Sequence, residues 1–254
     1  MKRIEIFGPP GVGKTTLKTA LIAALEDEGQ RAWCFQSLPI IDLVGTRPTQ
    51  WILSVVNSSL YQSYAPSMLR ERLMMRIVNR ELHSSGEEED QWQEFINFAI
   101  HRLSQTNTNP MQKYGRIKWT LEVCAAARLA AQDRNEEFVI FDDGVIQRGF
   151  SIGFSSQAND CARAYFERMP PPELAIGIDA DADVIADRII KREGEDSRFL
   201  ELIDQSRELN EICIEVLAKR QTPTVTIDGN GPFDEAVDWF VGNVSRNAET
   251  AQLL

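Results

Sequence analysis

The sequence is poor in the residues that build metal centres and disulfide frameworks. Its four cysteines, Cys34, Cys124, Cys161 and Cys213, form no Cys-x-x-Cys pair, and its two histidines stand far apart. We therefore expect neither a disulfide framework nor a zinc site, and the scattered cysteines are typical of reduced thiols buried in a cytoplasmic protein.

Long apolar runs and an excess of positive charge are also lacking. No run approaches the roughly 20 residues of a membrane span, and the N-terminal Met1-Lys2-Arg3 leads into a short apolar stretch broken by Glu5. We expect no secretory signal and no membrane partner. The formal net charge of −11 disfavours broad binding to nucleic acid, because phosphate contacts need clustered cations, although a local basic cleft is compatible with it.

The sequence does contain a complete G-x-x-x-x-G-K-[ST] motif close to its start. The motif reads Gly8-Pro9-Pro10-Gly11-Val12-Gly13-Lys14-Thr15 and is followed by Thr16. A short alternating strand precedes it and an amphipathic pattern ending at Gly29 follows it, which disfavours a chance turn. In such a motif backbone N–H groups hold the phosphates, Lys14 reaches the β- and γ-phosphates, and the Thr15 hydroxyl ligates Mg²⁺. The motif predicts binding of ATP with Mg²⁺.

Apolar runs separated by helical patterns predict the architecture. We expect strands at 3–7, 32–35, 138–141, 174–178 and 224–227, and helices near 113–134, 181–193, 199–220 and 233–246. The alternation predicts an α/β fold with a five-stranded parallel sheet and helices on both faces. We expect one domain over 1–254, in which 40–125 form a helical insertion on the acceptor side.

Two further groups of residues are candidates for the chemistry. Asp142 and Asp143 follow the apolar strand 138–141, where a carboxylate holds Mg²⁺ or accepts a substrate proton, and we favour Asp142 as the metal ligand. Arg188 and Arg192 lie four residues apart on one helix, and Arg198 follows a short polar segment. Mobile arginines stabilise the charge of phosphoryl transfer. An acidic turn and a solvated helix face remain the alternative interpretations.

These residues resemble those of the P-loop nucleoside and nucleotide kinases, above all the thymidylate kinases and deoxynucleoside kinases. The resemblance rests on the phosphate loop, on a strand and helix reading Ile178-Asp179 and then Asp187 to Arg192, and on the last strand and loop, 227–232. It covers about 1–35 and 136–245.

The resemblance implies roles for several of these residues. Arg188, Arg192 and Arg198 would be lid residues around the ATP phosphates and adenine, and Asp142 would match the acidic member of an Asp-Arg pair. In this sequence Asp143 stands where that family has the arginine, and Arg148 is the nearest cation that could replace it. The base is also open: the family's glutamate after the second strand is missing, which leaves Asp42, Asp142 and Asp143.

The sequence therefore favours an ATP-dependent kinase with a nucleoside, a nucleotide or a similar small molecule as acceptor. We expect that acceptor to bind between Arg148 and the 40–125 helices. One alternative is a kinase that phosphorylates a hydroxymethylated pyrimidine base in DNA, and another is an ATP-hydrolysing regulatory switch. A cytoplasmic location is expected, and a homodimer remains open.

Overall fold

The computed structural model describes residues 2–37, 67–83, 87–132, 137–156 and 159–250. Its strands are β1 (Lys2–Phe7), β2 (Ala32–Cys34), β3 (Phe138–Phe141), β4 (Leu174–Asp179) and β5 (Thr224–Asp228). All neighbouring strands pair in parallel, in the order β2-β3-β1-β4-β5. The predicted five-stranded parallel sheet is confirmed. Phe35, expected to end the second strand, instead begins a 3₁₀ turn over Phe35–Ser37.

The helices that the structure describes follow the predicted alternation, with one addition. They are α1 (Lys14–Asp27), α2 (Ser67–His83), α3 (Glu87–Ser104), α4 (Pro110–Gln132), α5 (Val145–Ser156), α6 (Asn159–Arg168), α7 (Ala182–Glu193), α8 (Ile203–Lys219) and α9 (Asp234–Thr250). The helix expected from residue 199 begins with a 3₁₀ turn, Leu200–Leu202, before α8. None of these helices, over the described ranges, has the length and apolar content needed to cross a membrane.

The pair α5 and α6 was not predicted, because the α5 sequence has weak intrinsic helix preference. It contains two glycines, which disfavour a helix interior. Gly149 is required by packing, since a Cβ there would lie 2.2 Å from the Phe166 ring. The close approach of α5 to α6 thus outweighs local propensity.

The sheet separates two buried apolar layers. Side chains of β1 alternate between them: Ile4 and Ile6 face the layer that contains α1, and Phe7 faces the layer that contains α3 to α6. The connection from β1 to β2 crosses the sheet in the direction opposite to the connection from β3 to β4. Right-handed crossovers therefore place α1 and α5 on opposite faces.

Helices α3 and α4 belong to one of these layers. Phe95, Ala99 and Val123 are fully buried in the same cluster as Phe7 and Phe141 of the sheet. Residues 40–66 lie outside the described ranges, so the expected division into a domain and an insertion at 40–125 stays a prediction.

Candidate functional site

The phosphate-loop motif lies at the carboxyl end of β1, the central strand of the sheet, and leads into α1. Gly8 and Gly13 have φ of 144° and 103°, values that side chains rarely adopt. A Cβ on Gly8 would lie 2.3 Å from the Ile178 carbonyl oxygen, and one on Gly13 would lie 2.9 Å from the Phe233 ring. The loop can therefore keep this shape only with glycine at these positions.

The loop offers backbone donors at the start of a helix. Pro9 and Pro10 have no N–H, so the free amides come from 11–16. In the first turn of α1, which the structure describes completely, no side chain caps the helix and none is acidic. The amides and the helix dipole thus present a positive end that suits an anion.

Lys14 is folded across the loop. Its ammonium donates to the carbonyl oxygens of Gly8 and Pro9, each at 2.8 Å. Burial lowers the pKa of Lys14 to about 7; Asp142 opposes this shift, and Arg192 and Arg148 add to it. The ammonium is therefore held beside the loop amides in surroundings that would favour a negatively charged neighbour.

Asp142 connects the end of β3 to α1. The Thr15 hydroxyl donates to Asp142 Oδ2 at 2.8 Å, and the Lys18 ammonium lies 2.9 Å from the same oxygen. Asp142 is buried, and among the described residues its other oxygen, Oδ1, has no hydrogen-bond partner. The sequence analysis did not identify Lys18, although its position one helical turn after Lys14 places it on the same face of α1.

The donor set at Thr15 and Asp142 fits Mg²⁺. Hydroxyl and carboxylate oxygens are ligands that suit this ion, and the buried Oδ1 of Asp142 has no partner within the described ranges. Within the described ranges no cluster of three or more His, Cys, Asp or Glu side chains could hold a metal by itself. Mg²⁺ is usually bound through one or two protein carboxylates, and waters and substrate phosphates complete its coordination.

Asp143 faces the next helix. It forms an ion pair with Arg148 of α5, whose guanidinium also lies over the Trp119 ring, 3.8 Å from its centroid. Burial lowers the pKa of Arg148 to about 10. From the same helix, the Gln147 side-chain oxygen accepts from the Gly8 N–H at 3.3 Å. The first turn of α5 therefore lies directly beside the phosphate loop.

The structure gives the three arginines of the expected lid different surroundings. Arg188 donates to the Gly229 carbonyl at 2.7 Å and to the Val12 carbonyl at 3.4 Å, and so joins the loop after β5 to the phosphate loop. Arg192 is exposed and pairs with Glu193 at 2.5 Å, yet its positive charge contributes to lowering the pKa of Lys14.

Arg198 lies beside a cation that sequence reasoning missed. The Arg198 guanidinium lies over the Phe199 ring. Burial lowers the pKa of Arg116, and the positive charge of Arg198 lowers it further. Arg116 of α4 donates to the Ser155 hydroxyl of α5 and repels Arg148. No local motif marks Arg116 or Trp119. Asp42, the third candidate base, lies outside the described residues.

No protein-family model and no curated protein matches the chain. Similar solved structures include two of the deoxyadenosine kinase from M. mycoides, one with the products dCMP and a flexible dCDP and one with dATP. Their identities to this chain are 11% and 12%, with TM-scores of 0.43 and 0.44. Each alignment covers 96% of this chain and 99% of the other.

Proposed function

We propose that this protein is an ATP- and Mg²⁺-dependent kinase that moves the γ-phosphate to a nucleoside, a nucleotide or a similar small hydroxyl or phosphate acceptor. One observation carries the proposal: the Lys14 ammonium lies across the phosphate loop, and at the start of α1 the Thr15 hydroxyl meets Asp142, whose buried Oδ1 has no hydrogen-bond partner in the part of the chain that the structure describes. The first suits a polyphosphate and the second suits its divalent cation.

The donor phosphates would lie on the amides of 11–16, with Gly8, Pro9 and Pro10 shaping the loop beneath them. Lys14 would exchange its two carbonyl acceptors for phosphate oxygens, because a charged acceptor makes the stronger hydrogen bond. The negative phosphates would also keep Lys14 protonated near neutral pH, in spite of its lowered pKa.

Thr15 and Asp142 would hold Mg²⁺. When bound, the ion neutralises charge on the β- and γ-phosphate oxygens. Lys18 would hold the Asp142 carboxylate in its orientation towards the ion, since the ammonium contacts the carboxylate oxygen that Thr15 also contacts.

The arginines would stabilise the charge that spreads over the transferred group. Arg148 and Arg192 act electrostatically on Lys14, and Arg198, in the segment after α7, acts on Arg116. Cations placed before the reaction begins lower the barrier, because the site does not have to reorganise around the new charge. Arg188 would act through the two loops that it joins.

We propose that the acceptor binds between Arg148 and the helices of 40–125, and that its proton passes to Asp42, Asp142 or Asp143. Replacing each in turn by asparagine separates them. The base is the residue whose loss lowers kcat while the affinity for ATP is retained. For Asp142 the Mg²⁺ dependence must be measured as well, since the same carboxylate would hold the ion.

The kinase proposal is tested by incubating the purified protein with γ-labelled ATP, Mg²⁺ and a panel of nucleosides, nucleotides and sugars. We expect label in one class of small acceptor, and Lys14→Ala should abolish both transfer and tight ATP binding. Lys219→Ala, an exposed lysine paired with Glu215, is the matched control and should leave both unchanged.

The same assay distinguishes the alternatives. Label in hydroxymethylated DNA would instead assign a polymer acceptor. Release of inorganic phosphate with no labelled acceptor, together with ATP-dependent assembly, would assign the regulatory switch and contradict the kinase. We further propose a cytoplasmic location, in keeping with the scattered cysteines, which form no Cys-x-x-Cys pair in the sequence.

A further inference from the structure

A buried carboxylate, Glu5, lies beneath the phosphate loop on the central strand. Its backbone pairs with Phe141 of β3 and Ala175 of β4, and the side chain is fully buried. A charged group in such a place is costly unless it is paired and hydrogen-bonded. The sequence reasoning gave Glu5 no function beyond interrupting an apolar run.

The contacts of Glu5 point to the start of α5. Its Oε2 accepts from the Ile146 N–H at 2.7 Å, and hydrogen bonds from Ile146 and Val145 partly oppose the effect of burial, which raises the pKa of Glu5. These are the first amides of the helix, which have no partner within the helix itself. A carboxylate 141 residues away in the sequence thus takes the part that a neighbouring Ser, Thr or Asp usually plays.

The turn between β3 and α5 is built around this contact. Asp142 faces Thr15 and Lys18, Asp143 pairs with Arg148, and the residue between them and the helix is Gly144. A Cβ on Gly144 would lie 2.5 Å from Glu5 Oε2, so a glycine is needed for the carboxylate to reach the helix. The three consecutive residues 142–144 therefore make three different contacts: with α1, with Arg148 and with Glu5.

The helix that Glu5 holds carries residues of the site. Gln147 accepts from the Gly8 N–H, and Arg148 lies between Asp143 and Trp119. Arg3 balances the charge of Glu5 from the far side, with its Nε 3.4 Å from Glu5 Oε1.

We propose that Glu5 is a positioning residue: it fixes the first turn of α5, and with it Gln147 and Arg148, against the phosphate loop. Its side chain is fully buried and contacts Arg3 and the start of α5, so we expect it to act on transfer through α5 rather than on ATP affinity. The effect on turnover rests on the proposed kinase function, whereas the effect on α5 does not.

The test compares Glu5→Gln with the wild-type protein by amide hydrogen exchange and by kinetics. We expect the amides of the first turn of α5 to exchange about tenfold faster, because charge-assisted hydrogen bonds are weakened there. We expect kcat to fall about tenfold or more while the Kd of a fluorescent ATP analogue stays within about twofold, because misplaced groups slow the chemistry without removing the loop amides.

Two further variants keep the inference falsifiable. Gly144→Ala leaves the side chains of Glu5 and Arg3 in place but pushes the Glu5 carboxylate away from the start of α5. It should therefore also give faster exchange in α5 and a lower kcat, even if Glu5→Gln does not fold. Glu81→Gln removes an equally buried carboxylate between α2 and α4, where it faces Arg128, and should leave α5 unchanged. Unchanged exchange in α5, or an equal increase in every helix, would overturn the proposal. If the wild-type protein transfers no phosphate, the exchange measurement alone decides.

Discussion

Replacing Lys18 by methionine tests whether the buried pair with Asp142 keeps the metal-side carboxylate in place. The ammonium and the carboxylate are 2.9 Å apart, and each side chain is only 9% exposed. At an effective dielectric constant of about 20, their attraction at this distance is about 6 kcal/mol, most of which the removal of both charges from water offsets.

The loss in free energy of unfolding on breaking the pair depends on the buried charge that is left without its partner. Breaking a buried pair costs about 3–5 kcal/mol. Because Thr15 still donates to Asp142 after Lys18→Met, we expect the lower end, about 3 kcal/mol. Asp142→Asn strands the ammonium and should cost a similar amount. The double variant leaves no stranded charge and should lose only about 1–2 kcal/mol.

The assay is equilibrium unfolding in urea, followed by tryptophan fluorescence and by circular dichroism, with coincident transitions required. The double-mutant cycle then gives the coupling free energy directly. Lys219→Met, at an exposed lysine, is the control and should not move the midpoint. Additive losses in the two single variants, or a wild-type midpoint for Lys18→Met, would refute the reasoning.

Three other perturbations follow from the same structure. Gly8→Ala should abolish ATP binding and lower the free energy of unfolding by about 2 kcal/mol or more, because its Cβ would lie 2.3 Å from a backbone oxygen of β4. Gly242→Ala is the control: no atom lies near its added Cβ, so it should be neutral or slightly stabilising. Equal shifts in the melting temperatures of the two variants would contradict this. Arg188→Met should weaken ATP binding about tenfold by releasing the two loops that Arg188 joins, and an unchanged Kd would count against that role. In the native protein at pH 8, iodoacetamide should modify half-buried Cys161 and spare Cys124. Burial raises the pKa of Cys124 to about 12, so only about one molecule in ten thousand is thiolate at that pH, and labelling rises only as pH increases; mass spectrometry showing equal labelling would disprove this.

Much of the fold was readable from local pattern. The apolar runs at 138–141 and 174–178 predicted β3 and β4 within one residue, because strands buried on both faces are apolar along their length. The helix pair after β3 was missed, since α5 is held by packing at Gly149 and by the distant Glu5 rather than by its own propensity.

The candidate site divides in the same way. A contiguous motif was enough to predict a glycine-rich turn between β1 and α1 with Lys14 and Thr15 at the start of the helix, because one turn of backbone builds this segment; its binding of phosphate stays a prediction. Asp142 was placed correctly at the end of its strand, whereas its buried ammonium partner was not foreseen.

By itself the sequence determined the five strands and the glycine-rich turn before α1, since these depend on neighbours along the chain. Only the tertiary structure decided that Arg188 joins two loops, that Arg148 lies between Asp143 and Trp119, and that Glu5 holds α5. These contacts join residues on different strands and helices, and they form only when the crossovers bring those elements together, so no local spacing encodes them.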